Sequence, residues 1–117
     1  MDMRSFQFPK IEQPPLRATA TDFIDAMNVQ LAFLHRQKQP EESVRIDYGG
    51  AFGTMRASTV SPEGTDFLRI FARDESGNAH QIMAPVSQCS FMFTLFVPSE
   101  REPEEKVILG FAEGKQA

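Results

Sequence analysis

Between Pro40 and the end of the chain, apolar and polar residues alternate in short runs broken by glycine and proline, whereas the stretch before Pro40 repeats at helical spacing. Phe23, Met27, Leu31 and Leu34 follow one another at intervals of four, four and three, which places them on one face of a helix running from Thr21 to about Gln39. Ile24, Ala26, Val29 and Phe33 widen the apolar surface beyond a single stripe, so the helix is expected to be covered on more than one side, by sheet, arm or partner. Thr19 or Thr21 supplies an N-cap, Asp22 and Asp25 suit the positive end of the helix dipole, and His35, Arg36 and Lys38 suit the other end.

After Pro40 the period falls to two. Val44, Ile46 and Tyr48 alternate with Ser43, Arg45 and Asp47, the pattern of a strand with one wet face. Gly49, Gly50 and Gly53 permit a turn or bulge before a second strand over Thr54 to Val60, and Ser61-Pro62-Glu63-Gly64 reads as the next turn. Asp66 to Arg73 is a third strand, with Leu68, Ile70 and Ala72 on one face and Phe67, Phe71 and two arginines on the other. Asp74 to Asn78 closes a hairpin into a strand over Ala79 to Met83. Pro85 interrupts pairing, Ser87 to Ser90 reads as a helical turn or bulge, Ser90 to Val97 returns as an apolar, buried strand, and Lys106 to Phe111 is the last strand. The expected fold is α+β: one N-terminal helix packed on an antiparallel sheet of five or six strands, with a strongly curved or barrel-like sheet as the alternative.

Residues 1–18 contain Pro9, Pro14 and Pro15 and show no sustained period, so they are expected to form an extended arm ahead of a single domain over 19–117. Phe6, Phe8, Ile11 and Leu16 make that arm too apolar for a typical free tail and fit it to a sheet edge or another subunit. A chain of 117 residues suits one core, and eleven phenylalanines without tryptophan supply much of its bulk.

Charge narrows the functional classes. Sixteen carboxylates against twelve basic residues argue against a nucleic-acid binder that relies on phosphate neutralisation. The single cysteine, Cys89, rules out an intrachain disulfide, no signal peptide is evident, and the longest apolar run is far short of a membrane span, so a cytoplasmic, non-membrane protein is expected.

No residue set forms a catalytic or metal-binding signature, and no cofactor is expected. Gly49 to Thr54 lacks the lysine and following helix of a phosphate loop. Cys89 and His80 have nothing to fix them as nucleophile and base, and His35 and His80 are not spaced as metal ligands. Arg45, Arg56, Arg69 and Arg73 lie on adjacent expected strands, where they either share a face that binds a small anion, a nucleotide or an acidic partner, or simply face solvent. Phe6, Phe8, Phe23, Met27 and Phe33 are the candidates for binding another protein or a second copy. The leading expectation is a non-enzymatic interaction module, homo-oligomeric; the alternative is a binding or sequestering protein for a small anion or nucleotide.

Pro40-Glu41-Glu42, the hairpin from Arg69-Ile70-Phe71 through Gly77, Val86-Ser87-Gln88-Cys89-Ser90-Phe91 and Leu109-Gly110-Phe111 together resemble a family of short bacterial proteins defined only as a domain of unknown function. The resemblance spans Pro40 to Phe111 and implies no activity, cofactor or catalytic residue. From Ala72-Arg73 through Gly77 to Gln81-Ile82-Met83-Ala84-Pro85-Val86 the chain is also similar to the hairpin of the stringent-starvation adaptor family, which delivers tagged substrates to a protease. That similarity implies a shared sheet rather than the delivery function, since the adaptor's protease-docking tail has no counterpart after Phe111.

Overall fold

The computed structural model describes residues 19–110; the arm residues Phe6, Phe8, Ile11 and Leu16, and Phe111 at the end of the expected last strand, lie outside them. Helix α1 spans Ala20–Gln37. Its start is set by a capping box: the Asp22 backbone N–H donates to Thr19 Oγ1, and the Thr19 N–H donates back to Asp22 Oδ2, both at 3.1 Å. The Ala20 N–H, still free of any helical partner, donates to the Thr65 carbonyl at 2.6 Å and so pins the helix to a turn of the sheet.

Six strands follow: β1 Ser43–Gly50, β2 Gly53–Glu63, β3 Phe67–Arg73, β4 Ala79–Pro85, β5 Ser90–Phe96 and β6 Ile108–Leu109, with a 3-10 turn at Val86–Gln88. The sheet order is β4-β3-β2-β1-β5, antiparallel throughout, with β6 joined to β2 in parallel. The path has two ends and does not close, so the barrel-like alternative is replaced by an open sheet with α1 across one face.

The core forms where the two periods meet. Ala20, Ile24, Met27 and Leu34 of α1 are buried against Val44, Ile46 and Tyr48 of β1, Ala57 and Val60 of β2, Leu68, Ile70 and Ala72 of β3, and Ile82 and Ala84 of β4. Each large aliphatic side chain removed from water there stabilises the fold by about 1.5–3 kcal/mol. The helix stripe is rotated slightly from the expected one: Ile24 is inside, while Phe23 and Leu31 flank the core and Val29 is 44% exposed.

Strand β2 determines how the sheet is assembled. Ala57 and Val60 are both buried although three residues apart, which a strand of period two does not allow. The register against β3 shifts between Ala57 and Thr59, so Ser58 is the extra residue of a bulge, and its hydroxyl donates to the Phe71 carbonyl at 3.2 Å. The pairing of β1 with β2 ends at Asp47 and Arg56, and β6 takes the vacated place beside Thr59 and Val60. Pro62, expected in a turn, lies within β2 opposite Leu68, at a point where β2 is paired on one side only among the described residues, the position in a sheet that tolerates a missing N–H.

Candidate functional site

The four candidate arginines share one face of the sheet, but only Arg45, Arg56 and Arg73 line a common cleft, and Arg69 stands apart from it. Register pairs Asp47 with Arg56 and Arg56 with Arg73, which puts Arg45, Arg56, Arg69 and Arg73 on the sheet face opposite α1. Arg45 Nε donates to Asp47 Oδ2 at 3.0 Å and its Nη1 to Glu102 Oε2; the hydrogen bond to Glu102 is the main reason its pKa lies above the usual guanidinium range. Arg56 lies 3.9 Å from Glu102 and 3.8 Å from Glu105, and donates to the Pro103 carbonyl at 3.1 Å. Both guanidinium groups approach the Phe96 ring, at 5.8 and 5.2 Å from its centroid. Arg69 pairs with Glu63 at 2.6 Å, and Arg73 donates to the Gly77 carbonyl at 3.1 Å.

These contacts lead back into the chain itself. The segment between β5 and β6 folds its own Glu102 and Glu105 over Arg45 and Arg56, filling the positions an anionic ligand would take. The neighbouring cleft, about 280 Å³, sets Arg45, Arg56 and Arg73 against Asp47, Asp74, Glu75 and Glu102, so its charges nearly balance.

The helix candidates are placed differently from one another. Met27 is 5% exposed in the core, so it serves packing rather than recognition. Phe23 packs on Phe91 with ring centroids 5.9 Å apart, Phe91 packs in turn on Tyr48 at 5.5 Å, and Phe33 is half-buried against the core. Phe6 and Phe8 lie outside the described residues.

Cys89 and His80 are not brought together. His80 Nε2 shares a hydrogen bond of 2.9 Å with Asp74 Oδ2 at the β3–β4 hairpin, whereas Cys89 lies beyond the other end of β4, its thiol donating to the Pro85 carbonyl at 3.3 Å. Burial pushes the Cys89 thiol above its ordinary range, away from the thiolate. The glycines at the end of β1 and the start of β2 form the hairpin between them, pairing Gly50 with Gly53. Among the described residues no three His, Cys, Asp or Glu side chains are grouped as metal ligands, and no helix is long and apolar enough to cross a membrane.

Two apolar surfaces lie outside the interaction candidates named from the sequence. On the face opposite α1, Phe67 and Phe71 are 44% and 40% exposed on either side of Arg69, and Met83, directly across from Arg69, is 49% exposed. Alternation in β3 places these side chains outward, but it cannot show that no second layer covers them. The other is β5, expected to be a buried strand from its apolar run. Among the described residues it is an edge strand paired only with β1, and Met92 on it is 58% exposed. A shallow groove of about 460 Å³ runs beside it, lined by Gln30, Phe91, Met92 and Phe93. Gln30 Oε1 and Arg69 Nε are buried without a hydrogen-bond partner among the described residues. Comparison with protein-family models, with curated proteins and with solved structures finds no match to this chain.

Proposed function

We propose that this chain is a small, non-enzymatic protein-interaction module that acts as a homo-oligomer in the cytoplasm and binds its partner through the open face of β3 and β4. The observation that supports the reading is the constellation of Phe67, Phe71 and Met83 around Arg69. Three large apolar side chains stay 40–49% exposed about an arginine that Glu63 holds in place and whose Nε has no partner among the described residues. Aromatic residues, methionine and arginine are the types enriched where proteins meet, and an arginine ringed by apolar groups combines a directional donor with surface that gains from leaving water.

The alternative, a site for a small anion or nucleotide, has less support because a ligand must first displace Glu102 and Glu105 from Arg45 and Arg56. One purification separates the two. Tagged wild-type protein and a Phe67→Ser/Phe71→Ser variant are recovered from the native cell, and the protein and small-molecule fractions are identified by mass spectrometry. The interaction reading expects a stoichiometric protein with the wild type that is lost from a variant whose circular dichroism is unchanged. A clean protein fraction carrying an anion, released on replacing Arg45 and Arg56, would transfer the function to the arginines.

A further inference from the structure

We infer that β5 is the seam between two copies of this chain, which pair these strands antiparallel about a two-fold axis at Phe93 and so join their sheets into one. The inference rests on the reading of the chain as an oligomeric interaction module and adds the surface and the partner.

The two edges of the sheet differ in what they invite. β4 carries His80 and Gln81 and ends in Pro85, features that discourage the addition of another strand. β5 reads Ser-Phe-Met-Phe-Thr-Leu-Phe, without charge, glycine or proline, and its seven register pairs with β1 run without a bulge. It is a regular, apolar edge of roughly 23 Å whose outward N–H and C=O groups are unpaired among the described residues.

Symmetry points to a second copy. A two-fold contact lays a patch on itself, so any charge on the seam would meet its like, and each chain already carries a net charge of −4. β5 carries no charged residue, so its self-pairing opposes no like charges; β4 also lacks Asp, Glu, Lys and Arg, and it is His80, Gln81 and Pro85 that set it apart. Centred on Phe93, the pairing sets Met92 against the partner's Thr94 on one face, and Phe91 against the partner's Leu95 on the other, with the two copies of Phe93 opposite each other. Roughly six to eight main-chain hydrogen bonds form, depending on which alternate residues face outward. Half-buried Phe91 and Phe93 and exposed Met92 lose water together, and the groove holding Gln30 Oε1, unpartnered among the described residues, lies along the join.

The test uses the full chain. Sedimentation across a dilution series should give twice the 13.2 kDa chain mass for the wild type. Met92→Lys, which places a charge on the seam, should weaken the dimer by about tenfold or more. Circular dichroism monitors folding, and a second measurement does not depend on a destabilising change. In a Cys89→Ser background, Met92→Cys chains mixed with Thr94→Cys chains should form interchain disulfides on oxidation, because directly opposed Cα atoms lie about 4.5–5.5 Å apart, within disulfide reach. A wild-type dimer that neither weakens with Met92→Lys nor cross-links would overturn the β5 seam and leave the oligomeric reading standing. A wild type that stays monomeric would overturn both, and would leave β5 to a strand from a different protein.

Discussion

Individual residues in this fold are constrained most where backbone and side chain approach closely. A Cβ built on Gly50 would meet Tyr48 Oη at 2.1 Å and Cζ at 2.6 Å. The ring that would have to move is 2% exposed and packed at a tilt against Phe91. Gly50→Ala should therefore destabilise the protein by about 1–3 kcal/mol, the usual range for overpacking a core. Urea unfolding measures this, and Tyr48→Phe in the same chain should recover part of the loss by removing the nearest atom. An unchanged midpoint would mean that the ring has room to swing away. The glycine was legible as a turn former, but its contact with a side chain two residues earlier was not, because strand alternation gives the face of Tyr48 and not the tilt of its ring.

At the scale of elements, the β3–β4 hairpin is organised by one carboxylate. Asp74 Oδ1 accepts from the Ser76 and Asn78 backbone N–H groups at 2.9 Å, and Oδ2 bonds His80, the contact that does most to hold the Asp74 pKa below its ordinary 3.8. Because the folded value is lowered, the contribution of Asp74 to stability is present above about pH 3.8 and is lost as pH falls through the folded value. Wild-type protein should consequently lose stability more steeply than Asp74→Asn below that pH, as followed by acid titration of its circular dichroism. Parallel acid limbs would assign the hairpin's stability to its backbone bonds alone. This turn was readable from Asp74-Glu75-Ser76-Gly77-Asn78, as were the faces of β1 and β3, while the helix cap was narrowed only to Thr19 or Thr21. The long β2 was not, since Pro62 signals a turn locally and is accommodated only because β1 has already parted from β2.

For the whole molecule, the segment between β5 and β6 is held across the sheet mainly by side chains. Arg45→Met/Arg56→Met should speed amide hydrogen exchange over residues 99–106 while lowering global stability by only about 1 kcal/mol, since the pairs are partly solvated. Protection unchanged in that segment would show that it is held by its apolar anchors, Val107 and Leu109, instead. Sequence showed arginines on neighbouring strands and an acidic stretch after Pro98, but their pairing depends on a return path across the sheet that no local pattern encodes. The edge position of β5 was hidden for the same reason: an apolar run looks alike in the middle of a sheet and at its border. The α+β class was recoverable because each element's period agreed with its place, whereas the openness of the sheet and the candidate surfaces depend on which elements lie beside one another.

The short parallel strand β6 sets an order on how this protein can be made. Val60 sits at the centre of the sheet, completely buried, yet its neighbour on one side is Leu109 and its carbonyl accepts from the Gly110 N–H at 2.7 Å. During synthesis β2 emerges long before those residues do. A nascent chain can build the helix, the three successive hairpins from β1 to β4 and the β1–β5 pair while the middle of its sheet still lacks that neighbour. Final closure must wait until the ribosome has released Gly110, so a stalled or shortened product leaves the backbone of a fully buried residue without its neighbour.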